Sequence, residues 1–112
     1  MYSVIGVLKK PDHWDTAQFR KWWVEEHAEI AKKLPGLRRY TIHPLSDGMD
    51  PDSGQIGGPP SHDGVAFLWF DDAAAARAAF ASGAGQHDVE TFKENPVSVI
   101  IFGSAESHEL LS

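Results

Sequence analysis

Cysteine is absent from this 112-residue chain. Disulfides, thiolate metal centres, iron–sulfur clusters and cysteine nucleophiles are therefore excluded. No apolar run approaches the ~18 residues that a membrane-spanning helix needs. Basic residues are scarce: 10 Lys and Arg face 16 Asp and Glu, for a net charge of −6. Nucleic acid is not expected as a partner, because phosphate binding needs a cationic face. The opening MYSVIGVLKK has too short an apolar run, and its lysines on the wrong side, for a secretory signal. A cytoplasmic protein is expected. No Gly-x-Ser-x-Gly occurs, so there is no nucleophile elbow. The run Gly57-Gly58-Pro59-Pro60 is not a phosphate loop, since no strand leads directly into it and no helix follows.

What remains is ordinary globular material, 42% hydrophobic and 23% charged. The length suits one domain over residues 1–112. Charge is divided unevenly. Residues 1–45 hold 8 basic and 5 acidic side chains, and residues 46–112 hold 2 and 11. This reads as a solvated acidic second half, or as charge pairing between the halves within a chain or across a dimer.

Residues 2–9 are apolar and β-branched, and predict a strand closed by Pro11 and Asp12. A helix follows from Asp15, with Gln18 completing a capping box, and runs to about Leu34 before Pro35-Gly36 stops it. At 100° per residue Phe19, Trp23, Ile30 and Leu34 form its apolar stripe. Strands are predicted over 37–45, 64–70 and 97–103, and a second helix over 73–82 ended by Gly83 and Gly85. A short helical turn over 86–93 is weakly signalled. Residues 46–63 form a loop long for a hairpin, expected to be disordered or lid-like.

The order β-α-β-β-α-β predicts an α+β, ferredoxin-like fold with a four-stranded antiparallel sheet and both helices on one face. The strands are nevertheless apolar on both faces. Strand one offers Val4 and Leu8 to one side, Ile5 and Val7 to the other; strand three offers Leu68 and Phe70, then Phe67 and Trp69. A sheet with a solvated face should alternate apolar and polar residues. The uncovered face therefore calls for a second copy, giving a homodimer in the form of a dimeric α+β barrel.

His27 borders the apolar stripe, four residues after Trp23 and three before Ile30, and should face the groove between helix and sheet. It is either an acid–base residue or a core-edge histidine bonded to a backbone group. Glu26 lies on the other flank and forms no dyad with it. Three of the four Trp (Trp22, Trp23 and Trp69) fall on core elements. Such rings either fill the core of a small domain or wall a flat pocket for an apolar or aromatic ligand. On the second reading the pocket residues are Trp23, Tyr40, Phe67 and Trp69. Tyr40 and Ile42 should face the helices, and Arg39, Thr41 and His43 the dimer side. The pairs Asp12-His13, His62-Asp63 and His87-Asp88 are adjacent in sequence, not spaced as ligands on one helix face, so no metal site is expected.

The stretch FRKWWVEEHAEIAKKLPGLRRY, residues 19–40, resembles the signature of the EthD family, and DGVAFLWFDD, residues 63–72, resembles its third strand and second helix start. The family takes its name from a gene cluster of ethyl tert-butyl ether degradation. The resemblance implies a dimeric α+β barrel with a pocket between helices and sheet. Its motif histidine corresponds to His27 and its strand tyrosine to Tyr40. Related proteins include lactone isomerases, cofactor-free monooxygenases, polyketide cyclases and haem-degrading enzymes. Three functions follow as expectations. One is a cofactor-free isomerase, cyclase or monooxygenase acting on a small cyclic or aromatic-derived compound, with His27 as acid–base residue. The second is a non-catalytic ligand-binding or carrier protein of a catabolic pathway. The third is a haem-binding or haem-degrading relative, in which His87 could be the ligand.

Overall fold

The computed structural model describes residues 1–111. Its strands are β1 (Tyr2–Lys9), β2 (Arg39–Pro44), β3 (Gly64–Phe70) and β4 (Ser98–Ser104). They form one antiparallel sheet in the order β2-β3-β1-β4, the ferredoxin-like arrangement. Val4 of β1 lies opposite Leu68 of β3 and Gly103 of β4. Among the described residues no helix is long and apolar enough to cross a membrane.

The first helical rod has three parts: α1 (Thr16–Lys21), a π-helical segment (Trp22–His27) and α2 (Ala28–Ala31). Asp15 caps it: its side chain accepts from Gln18 N–H at 2.7 Å, while the Gln18 side chain accepts from Asp15 N–H at 2.9 Å. The π character shows where Ala28 N–H reaches back five residues to the Trp23 carbonyl. Wider turns bring residues five apart toward one face. The buried stripe accordingly runs Phe19, Trp22, Trp23, His27, Ala28, Ala31 and Leu34. Ile30, expected on this stripe from a uniform 100° step, is only half-buried.

The second helical region corrects the sequence expectation. Two helices stand there, α3 (Ala73–Ala81) and α4 (Gly83–Glu94). Ser82 separates them. Its hydroxyl donates to the Ala79 carbonyl at 2.5 Å and accepts from Gly85 N–H at 3.1 Å, ending one helix and capping the next. Gly85 is needed for close approach: a Cβ there would collide with the Phe80 backbone. It therefore opens α4 and does not terminate α3.

Side-chain alternation sorts the sheet. Val4, Leu8, Ala66, Leu68 and Phe70 are buried beneath the helices with Phe19, Trp23 and Val97. The other face carries Ile5, Val7, Val65, Phe67, Trp69, Ile100 and Phe102, as the strand register requires. Ile100 and Phe102 are 52% and 56% exposed. The helices thus cover one face and leave an apolar one open. Between β2 and β3, Met49 and Ile56 pair as an isolated bridge, supported by Asp50 N–H to Gln55 O at 2.8 Å. The loop is folded back as a small hairpin, an order its composition did not signal.

Candidate functional site

Between the helices and the sheet lies a cavity lined by Val4, Leu8, Trp23, His27, Tyr40 and Asp88, among others. Its volume is about 30 Å³, within an envelope of about 400 Å³ that includes open solvent. That inner space is no larger than a water molecule, and a larger guest requires side chains to move. Ile101 of β4 lines the cavity and is half-exposed, so the cavity reaches solvent beside that edge strand.

His27 comes from the π segment, and α4 brings Asp88, Thr91 and Phe92 to it. Their i, i+3, i+4 spacing puts these three on one helix face. The Thr91 hydroxyl donates to the Asp88 carbonyl at 2.7 Å. Its single proton thus engaged, Thr91 accepts from His27 Nδ1–H, also at 2.7 Å. The tautomer is thereby set, and Nε2 presents its lone pair to Asp88 Oδ1 at 3.3 Å. That oxygen is buried and has no hydrogen-bond partner, and the Asp88 side chain is only 8% exposed. The imidazole also stacks on Trp22 at 5.1 Å with a 28° interplanar angle, and packs against Phe92 at 4.5 Å.

This setting inverts the usual order of acidities. Burial pushes His27 down to about 4. Burial also pushes Asp88 up to about 6, opposed by the charge of His87. Burial, and then the charge of Asp88, push Tyr40 well above the ordinary tyrosine value, so its phenol stays protonated.

Of the residues expected in the pocket from sequence, Trp23, Tyr40 and His27 share this cavity. Phe67 and Trp69 do not. They sit on the opposite sheet face, because neighbouring strand residues point to opposite sides and Ala66 and Leu68 take the cavity side. There they stack on one another at 5.6 Å, with the Arg39 guanidinium 4.6 Å above Trp69 and His43 edge-on to Phe67. His87 is exposed on α4 and does not line the cavity. Among the described residues, no group of three or more His, Asp or Glu side chains converges as a metal site.

The EthD domain pattern matches residues 11–95, spanning the whole rod and the helix that carries Asp88. The chain belongs to the EthD family. An uncharacterized 11.0 kDa protein from the thcB–thcC intergenic region of Rhodococcus erythropolis is 31% identical over 103 residues, 89% of this chain and 91% of that one. An EthD-family protein of Bacillus halodurans superposes with a TM-score of 0.72 at 20% identity, covering 91% of this chain and 96% of its own. SnoaB, a cofactor-independent oxygenase from Streptomyces nogalater, gives 0.63 at 15% identity, with 99% and 97% covered. A dimeric ferredoxin-like protein of Thermobifida fusca gives 0.64 at 13% identity, with 94% and 90% covered. These likenesses establish the ferredoxin-like fold of this EthD protein, dimeric examples included.

The sequence did not reveal Asp88, Thr91, Trp22 or Phe92 as parts of the site. The signal for α4 was present in the spacing of Gly85, Asp88, Thr91 and Phe92, but Gly83 and Gly85 read as helix breakers. Trp22 was hidden because its approach to His27 depends on π-helical geometry.

Proposed function

We propose that this EthD-family protein acts on a small cyclic or aromatic-derived compound without a metal or organic cofactor, as an isomerase, cyclase or monooxygenase. His27 takes a proton from the bound compound and returns it. One observation carries this reading: a neutral imidazole, fixed by Thr91, lines an apolar cavity with its Nε2 3.3 Å from Asp88 Oδ1. Proton uptake at Nε2 creates an imidazolium next to a carboxylate, which stabilises the charge as it forms. The aromatic walls exclude water and suit a flat guest. A cofactor-independent oxygenase of the same fold is compatible with such a role. The open sheet face is proposed to bury itself against a second copy, as the dimeric relative suggests.

The test is His27→Gln, which keeps a hydrogen-bonding side chain but takes up no proton near neutrality. Turnover of an accepted substrate is expected to fall by about two to four orders of magnitude, with folding and ligand binding retained. Full activity in this variant overturns the assignment. Tight binding by the native protein without turnover identifies a carrier instead.

A further inference from the structure

We propose that the guest of this cavity is an uncharged ring compound bearing a hydroxyl group, a phenol or cyclic enol, whose O–H is held by the unpartnered oxygen of Asp88. Asp88 is then a second catalytic residue, in contact with the reacting proton. This rests on the acid–base reading of His27 and specifies the substrate that such a site selects.

Three observations converge on it. Asp88 Oδ1 is a buried acceptor with no partner on the cavity wall, and such an atom is destabilising until a donor reaches it. His27 Nε2, 3.3 Å away, is also an acceptor and cannot supply that donor in its Thr91-bound tautomer. No lysine or arginine lines the cavity. An anionic guest would meet a carboxyl group and aromatic rings with no cation to offset its desolvation. Tyr40 is the complementary group, a side chain with a phenolic O–H that lines the same cavity.

The proton step balances within the site. The substrate O–H bond breaks and its proton passes into the gap between Oδ1 and Nε2. The electron pair stays on the substrate oxygen, leaving an enolate or phenolate. Return of the same proton to a ring carbon completes an isomerisation with no external oxidant or reductant.

The test uses three matched probes: phenol, anisole and benzoate. Each is titrated into the native protein at pH 7, with tryptophan fluorescence and histidine NMR shifts as readouts. Phenol is expected to shift the His27 signals and to bind about tenfold or more tightly than anisole, which lacks the donor, and than benzoate, which brings a charge. Asp88→Ala should bring phenol down to the affinity of anisole. Asp88→Asn keeps the volume and an acceptor oxygen, so it should hold phenol within a few-fold while narrowing the gap to benzoate. Anisole or benzoate equal to phenol overturns the proposal, as does failure of all three to bind. Because the measurement is binding, that result is separate from the turnover lost in His27→Gln.

Discussion

Gly64 and Trp23 are fitted to each other: the indole of Trp23 lies where a Cβ on residue 64 would project. Trp23 is 1% exposed and anchors the rod over the sheet. Gly64→Ala is therefore expected to destabilise the fold by about 1–3 kcal/mol through overpacking. Trp23→Ala should cost about 3–5 kcal/mol through the cavity it leaves. Because each change relieves the other's defect, the double variant should lose less than the sum. Urea midpoints of the four proteins test this; strict additivity would show that the two sites do not touch.

His27 and Asp88 should make stability depend on pH in opposite senses. Relative to unfolded values near 6.5 and 3.8, folding lowers His27 to about 4 and raises Asp88 to about 6. Between those limits the unfolded pair carries its proton on histidine and the folded pair on aspartate. The proton counts match, so the pair contributes almost no slope. Asp88→Asn unmasks His27. The unfolded chain then binds the extra proton, and stability present above about pH 6.5 is lost as pH falls toward the folded value. His27→Gln unmasks Asp88, and stability present below about pH 3.8 is lost as pH rises through about 6. Denaturant midpoints from pH 4 to 7 should diverge from the native profile in these two directions, each by about 1–3 kcal/mol. Parallel profiles would show that neither group titrates as its burial implies.

The open sheet face should control assembly. Phe102 is 56% exposed there and lies opposite Ile5. Sedimentation at micromolar concentration is expected to show a dimer for the native chain. Phe102→Asp should shift it to monomer, because a charge buried in an apolar interface is destabilising unless paired. A stable native monomer would refute the barrel.

The hairpin between β2 and β3 should be the first site of proteolysis. Met49 and Ile56 are exposed, and the hairpin is held by backbone hydrogen bonds such as Asp50 N–H to Gln55 O and Gly48 N–H to Gly58 O. Limited digestion should nick between Asp47 and Ser61 before any other segment. Early cleavage within Gly64–Phe70 would contradict the buried placement of β3.

Much of the fold was legible because its signals are local. β1 and β3 match their predicted spans, and β2 and β4 lie within a residue or two of theirs. The capping box at Asp15 and Gln18 forms as its spacing implies. The two-sided apolar character of the sheet is visible in Ile5, Val7, Phe67 and Trp69 before any packing is known. α4 was read only as a weak turn over 86–93, because Gly83 and Gly85 look like a helix end until the Phe80 backbone that Gly85 must accommodate is in place.

By itself the sequence determined the four strands, their alternation and His27 as the histidine beside the rod's apolar stripe. Each of these depends on a period of two or about 3.6 within one element. Only the tertiary structure decided what His27 can do. Thr91 stands 64 residues further along the chain, and no spacing rule links it to His27. The π turn that stacks Trp22 on the imidazole, the α4 face that delivers Asp88, and the burial that reorders their acidities arise from packing between distant elements. The pairing of β2 with β3 sets Tyr40 opposite Leu68 and so puts it on the other sheet face from Phe67 and Trp69, a register that only the assembled sheet decides.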